Sequence, residues 1–293
     1  MKTGKILLIS AAFFWGISGL VTQVALNYNS TMMIIMMRFA VASLISFIVF
    51  KPKIDMKHLK LGFLLSCLLM GIYYTSTEGL KYTSASNASF IIGSNVVVVP
   101  LINRLLYKKP LYLETVLSSL VCLFGLGLIT LTGATSLNVG DIFCMIDMVI
   151  YSFYIVLISN EASQMNTEKL VTVQYMFVSF MAAIYLIMFE KIQFEYTLIN
   201  VASVGVLGFF CTFLAFYFQN KGQKEISPEN ASQLLALMPI FATLLDLLFA
   251  DIMISQYTFL GMLIILYINI SFKSTLSKFI GKMISNREVK YKL

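Results

Sequence analysis

One histidine, one tryptophan, five prolines and four cysteines occur in 293 residues, and only 12% of the side chains are charged. Each scarcity excludes a class of chemistry. His58 stands alone in a basic loop, so there is no HExxH zinc site and no His/Asp pair near a membrane surface. No nucleotide-binding glycine loop is present either. Cys67, Cys122, Cys144 and Cys211 all sit inside apolar runs without CxxC spacing, and read as small packing residues rather than metal ligands or a disulfide framework. The expectation is a protein that is not an enzyme and uses no metal or cofactor. Polar stretches are also too short to hold a soluble domain.

What is abundant is apolar. The chain is 59% hydrophobic with a mean hydropathy of +0.86, more than a water-soluble core of this size can hide. Runs of about 20 residues, the length that crosses a bilayer as a helix, recur throughout. They place ten transmembrane helices at 4–26, 31–50, 61–80, 84–106, 113–132, 141–160, 170–189, 200–221, 228–249 and 256–273, each bounded by Gly, Pro, Asn or charge. The first could pass for a signal peptide, but its apolar stretch is too long and another span follows at once. The fold class is therefore an all-α integral membrane protein.

The formal net charge of +7 does not point to nucleic acid, because the lysines lie in short gaps and in the tail. With the N-terminus inside, 18 Lys and Arg fall on the inner side, only Lys81 and Lys191 fall outside, and Arg38 is buried, which completes the 21. The positive-inside rule puts both termini in the cytoplasm. The basic tail, 274–293, is expected to lie on anionic lipid.

An internal repeat organises the chain. GLKYTSASNAS (79–89) returns 143 residues later as GQKEISPENAS (222–232), with Gly79, Lys81, Ser84, Asn87, Ala88 and Ser89 on Gly222, Lys224, Ser227, Asn230, Ala231 and Ser232. Each copy is followed by a proline within the next span, Pro100 or Pro239, offset by one turn between copies. Five helices per half is odd, so the halves, 1–134 and 135–273, enter the membrane from opposite sides. Inverted repeats are characteristic of secondary transporters, whose solute site lies between the halves near mid-membrane.

Several residues, in this order, resemble the EamA family of the drug/metabolite transporter superfamily. They are Trp15–Gly16, Arg38–Phe39, GLKYTSASNASFI running to Val99–Pro100, Gly140–Asp141, SPENAS followed by Pro239, and Gln256 with Gly261. The resemblance covers nearly the whole chain and implies a ten-helix carrier of two five-helix repeats. The chain departs from it at Ala250–Asp251, where Gly–Glu is usual, and at Asp147 and Asp246, where small or apolar residues are commoner. No relative's substrate is carried over.

An ionised side chain at mid-membrane costs about 2.5–3.5 kcal/mol on insertion scales, so those present face the bundle interior or a water path. Asp147 shares a helix face with Tyr151 and Tyr154. That face could bind an amino-bearing solute or exchange a proton; a hydrogen-bonded interhelical Asp is the other reading. Asp246, two turns beyond Pro239, is a second proton-coupling candidate. Arg38 is expected to play a structural or gating part, held by a carboxylate or helix-end carbonyls, with contact to an anionic group as the alternative. Glu78 and Arg104 are near helix ends, where charge is easily solvated. The resemblance adds Trp15, Tyr73, Tyr74, Asn87, Asn95, Gln219 and Asn220 as cavity candidates, and Pro100 and Pro239 are expected to act as kinks or hinges.

The expected function is a permease or exporter in the cell membrane, moving a small organic metabolite or drug-like solute by alternating access. A membrane scaffold or signalling protein is the competing class. The solute and the lipid bilayer are the expected partners, nucleic acid is not, and monomer and homodimer both remain open.

Overall fold

The computed structural model describes residues 2–83, 85–130, 138–190, 194–249 and 255–272. Lys191, Asp251 and the basic tail lie outside these residues. The described chain is helical, in the order α1 (Lys2–Leu26), α2 (Thr31–Phe50), α3 (Met56–Gly79), α4 (Ala85–Gly93), α5 (Asn95–Tyr107), α6 (Leu113–Thr130), α7 (Val139–Glu161) and α8 (Thr167–Phe189). α9 (Leu198–Gly208) continues through a π-helical turn, Phe209–Leu214, into α10 (Ala215–Gly222); α11 (Pro228–Leu235), α12 (Met238–Phe249) and α13 (Gln256–Tyr267) follow, the last ending in π-helical Ile268–Phe272. Counting α4/α5, α9/α10 and α11/α12 as single crossings gives the ten spans expected.

Lipid dictates this form, since a backbone in hydrocarbon must satisfy its own hydrogen bonds. Helix starts are closed by side chains that accept from the first free amides. Ser30 accepts from Met33, Asp55 from Lys57 and His58, Asn166 from Lys169 and Thr197 from Asn200. Asn138 and Asp141 form a reciprocal capping box at α7. Large apolar side chains such as Leu44, Ile48, Leu105 and Ile187 point outward, as a lipid solvent permits.

The two halves interlock about an approximate two-fold axis. An offset of 136 brings Gly4 onto Gly140, Trp15 onto Tyr151, Thr31 onto Thr167 and Arg38 onto Gln174, while the offset of 143 takes over from α3 onward. Helix pairing obeys both. α1 packs on α10 as α7 packs on α3, and α2 with α8 and α6 with α13 are pairs between equivalents. A Cβ on Gly4 would lie 2.9 Å from the Gly222 carbonyl oxygen, and one on Gly140 would lie 2.6 Å from that of Gly79. The first crossing is at the start of α1 and the second is at the far end of α3. One close crossing thus stands on each side of the membrane, which is the signature of inversion.

The breaks in the fourth and ninth spans also match, and the one in the fourth span does not fall at its proline. The Ser94 amide donates to Ile91 and that of Val97 to Ser94; the Leu237 amide donates to Leu234 and that of Ile240 to Leu237. Ser94 and Leu237 are equivalent at the offset of 143, although Pro100 and Pro239 are not. Pro239 is the second residue of α12, where no amide hydrogen is needed, and the break spares its ring a clash with the carbonyl of Leu235. Pro100 sits inside α5, six residues past its break.

Candidate functional site

Between the halves lies a cavity of about 170 Å³. Its wall holds Trp15, 13 residues along α1 from Lys2 and so about 20 Å from that helix's start at 1.5 Å per residue. From there it runs along Gly19, Thr22, Ser76 and Thr77 to Leu80 at the end of α3, so it extends toward the side of the membrane away from the N-terminus. Apolar surface from Ile72, Ile92, Ile129, Phe216 and Met238 makes up much of the wall. Among the described residues, the ionisable ones that line it are Arg38, Tyr73, Asp147 and Tyr151.

Arg38 is 1% exposed and is positioned by a local departure from α-helix. At Phe209–Leu214 the chain takes π-helical turns, which leave carbonyl groups free of their usual i+4 partners. The freed oxygens are used at once. The Cys211 carbonyl accepts from Trp15 Nε1 at 3.1 Å and from Arg38 Nη2 at 3.3 Å, and the Phe213 carbonyl from the Tyr175 hydroxyl at 2.9 Å. Thr212 Oγ1 accepts from Arg38 Nε at 2.8 Å while donating to the Leu207 carbonyl. Nη2 reaches Ser18 Oγ at 3.3 Å and Tyr73 Oη at 3.4 Å, and the guanidinium carbon stands 4.4 Å from the Tyr73 ring centre. Close approach of α2 to this turn depends on Gly208, where a Cβ would come within 2.6 Å of Val41.

Of the two expected holds on Arg38, carboxylate and carbonyl, the structure places it on the carbonyl. None of the ion pairs found among the described residues involves it. Asp147 is 2% exposed and makes no hydrogen bond among the described residues, with Oδ1 buried and unpartnered. An interhelical hydrogen bond, the plainer expectation for this residue, is therefore absent among them.

Trp15 and Tyr151, equivalents across the axis, meet edge to face with ring centres 6.1 Å apart and both line the cavity. Beneath them, toward the N-terminal side, is a buried amide and phenol layer. Tyr154 Oη donates to Gln174 Oε1 at 2.8 Å and accepts from Asn220 Nδ2 at 3.1 Å; Gln219 Nε2 donates to Tyr151 Oη at 3.2 Å. Tyr154, Gln219 and Asn220 are thus below the cavity rather than in its wall. Asn95 borders a small adjoining space of about 20 Å³ with Trp15 and Pro239. Tyr74 turns away and packs against Phe143, leaving its neighbour Tyr73 on the cavity. Pro239 lines the cavity and Pro100 does not. Asp246 belongs to α12, and its side chain lies outside the described residues.

On the N-terminal side the halves are tied by polar contacts. Asn103 Nδ2 donates to Glu229 Oε1 at 2.5 Å, and Asn160 Nδ2 to Asn103 Oδ1 at 3.1 Å. Tyr107 Oη donates to Glu161 at 2.6 Å. His58 bridges the halves as well. Its Nε2 accepts from the Asn166 amide, which makes Nδ1 the protonated nitrogen and the donor to Asp55 at 2.7 Å. The His58 ring and amide, with Lys169, hold the Asp55 carboxyl well below the usual range. A depressed carboxyl stays ionised through neutral pH, so the bonds that Asp55 itself makes to His58 and Lys169 weaken as pH falls through its lowered value.

Ser18, Thr212 and the π-helical turn do not stand out in the sequence. Aligning the first two helices of each half at an offset of 136 would show Ser18 opposite Tyr154 and Arg38 opposite Gln174; the π-turn has no evident signal in FFCTFL.

Comparison with known proteins agrees with this geometry. The EamA-like transporter family matches residues 2–131 and again 138–268. The chain is 29% identical over 255 residues to an uncharacterized transporter of Archaeoglobus fulgidus, covering 87% of this chain and 80% of that one. It is 23% identical over 177 residues to the uncharacterized transporter YyaM of Bacillus subtilis, covering 57% and 58%. A solved crystal structure superposes with a TM-score of 0.81 at 16% identity over 96% of this chain and 99% of the other, a likeness of fold. Two family matches, one on each half of an inverted ten-span bundle, make this chain a member of the EamA-like transporter family, a multi-pass membrane transporter of the drug/metabolite superfamily.

Proposed function

We propose that the protein is a secondary carrier of a small organic metabolite in the cell membrane, working by alternating access with both termini in the cytoplasm. The observation that carries this is the cavity between the halves, which extends to one side while Asn103, Glu229, Asn160 and their neighbours close the other. At about 170 Å³ it is smaller than the roughly 300–1,000 Å³ typical of drug-sized ligand sites, which favours a small solute. The positive-inside bias makes the cavity outward-facing in this conformation. Asp147, unpartnered in the wall, is the group we assign to a proton or to a cationic part of the solute.

Uptake by proteoliposomes of a panel of amino acids, amines, carboxylates and dyes, with and without an imposed pH gradient, tests the reading. Wild type is expected to transport at least one of them, and Asp147→Asn to reduce that transport tenfold or more, since a lost charged contact is worth about 1.5–3 kcal/mol. Transport of nothing in the panel would favour the scaffold class. Asp147→Asn at the wild-type rate would remove Asp147 from the path.

Pro239 is proposed as part of the gate, at the break between α11 and α12. Pro239→Ala allows one more backbone bond across that break and is expected to slow transport several-fold while leaving solute affinity within about twofold. An unchanged rate would confine Pro239 to packing.

A further inference from the structure

The two helix breaks meet around one small space. It holds about 20 Å³ beside the larger cavity, and the repeat pairs its lining. Gly93 is equivalent to Ala236 and Asn95 to Met238 at the offset of 143, and Trp15 to Tyr151 at 136. A space walled by both members of each pair lies on the approximate two-fold axis.

Its walls are rich in acceptors and poor in donors. The amides of Val97 and Ile240 turn to Ser94 and Leu237, which leaves the carbonyls of Gly93 and Ala236 without their usual i+4 donors. The Leu235 carbonyl lacks its donor as well, since the residue four further on is Pro239. Gly93 has no side chain and meets the space only with its backbone. Asn95 is 3% exposed, and its side chain makes no hydrogen bond among the described residues. Tyr151 Oη, which accepts from Gln219, stands in the same wall. Trp15 could donate, but its Nε1 is already bonded to the Cys211 carbonyl.

Unpaired buried carbonyls are costly, and their number decides what fills the space. A water fits by volume, yet it donates only twice, against the three carbonyls and the oxygens of Asn95 and Tyr151. A monovalent cation of similar size meets all of them at once, and carbonyls at interrupted membrane helices suit it. A divalent ion would call for carboxylates, and none lines the space among the described residues. Asp147, one turn before Tyr151 on α7, brings a carboxyl to the adjoining cavity.

We propose that this space binds a single sodium ion, coordinated by the carbonyls of Gly93, Leu235 and Ala236, by Asn95 Oδ1 and by Tyr151 Oη. The ligands come from both halves, so the ion ties the fourth span to the ninth on the axis. Potassium is larger and needs longer contacts than a space of this volume provides. The site rests on the geometry of the breaks and not on the carrier reading above.

The test is thermal stabilisation of the purified full chain in sodium, potassium or choline chloride, with choline holding total chloride constant. Sodium is expected to raise the melting temperature with the logarithm of its concentration once that exceeds the dissociation constant. Potassium is expected to need a concentration about tenfold or more higher for the same shift. Asn95→Leu, which removes one ligand and fills the space, is expected to abolish the difference between the two ions, and Tyr151→Phe to raise the sodium requirement several-fold. Each variant is its own reference in choline, so a change in basal stability does not enter, and Tyr151→Phe decides the matter should Asn95→Leu fail to fold. Equal shifts in all three salts would leave the space to an ordered water and overturn the proposal. So would a sodium preference unchanged in every variant that folds. Sodium-selective stabilisation of a protein that transports no solute in proteoliposomes would keep the site and discard the carrier; transport without sodium-selective stabilisation would keep the carrier and discard the site.

Discussion

Gly140→Val is expected to abolish accumulation of folded protein, while Gly205→Val leaves it at the wild-type level. At position 140 a Cβ would stand 2.6 Å from the Gly79 carbonyl oxygen, 2.8 Å from the Thr83 amide nitrogen and 3.0 Å from Asn138 Oδ1. Two of these are backbone atoms and the third is the cap that starts α7, so no flexible side chain can yield. Overpacking in a well-filled interior costs about 1–3 kcal/mol and occasionally more, and at this crossing it would also separate Thr83 from Asp141, hydrogen-bonded at 2.6 Å. At Gly205 a Cβ meets nothing within 4 Å. Size-exclusion profiles and melting temperatures of the two variants check the contrast. The equivalent crossing makes a second comparison, because Gly222→Val would press on Gly4 and Leu8 and is expected to fail likewise. Normal yields of Gly140→Val would show that α3 and α7 can cross without backbone contact.

Glu229→Ala is expected to open the N-terminal side of the carrier. Glu229 on α11 accepts from Asn103 on α5 at 2.5 Å, and Asn103 in turn accepts from Asn160 on α7. The chain of contacts spans both halves, so it has to break before that side can open. A hydrogen bond to a charged group is worth about 1.5–3 kcal/mol, which would shift a two-state equilibrium some 10- to 150-fold toward the open form. A reporter cysteine at Val99, buried one turn from Asn103, reads the shift. Labelling of Val99→Cys by a membrane-impermeant maleimide from the N-terminal side is expected to rise about tenfold or more in the Glu229→Ala background. Equal labelling in both backgrounds would show that the latch lies elsewhere.

Legibility in the sequence follows periodicity and composition. Ten spans can be read off because an apolar run of bilayer length leaves the backbone no alternative to helix. The inversion can be read from the repeat at 79–89 and 222–232 together with an odd number of helices. Asp147 and Arg38 stand out because charge is scarce in such runs. Tyr74 is a cavity candidate by sequence, yet it is Tyr73 that lines the cavity; the two are about 100° apart on one helix, and without the neighbouring helices neither direction is favoured. Tyr154 and Gln219, also candidates by sequence, lie below the cavity, since depth in a bundle depends on where facing helices close. The prolines are the visible breakers in the fourth and ninth spans, but Ser94 and Leu237 set the breaks in register.

Helix number, membrane embedding and inverted halves therefore follow from the sequence by itself, because each depends on local apolar length and on a repeat written in the chain. The tertiary structure decided what surrounds each charge. Only with α2 pressed onto the π-helical turn at Gly208 do the carbonyl of Cys211 and the hydroxyl of Thr212 become Arg38's partners. Only with α7 packed against α3 and the cavity closed around it by α1 does Asp147 come to line the same space without a hydrogen bond. Those environments are made by atoms far apart in the chain, and no local pattern encodes them.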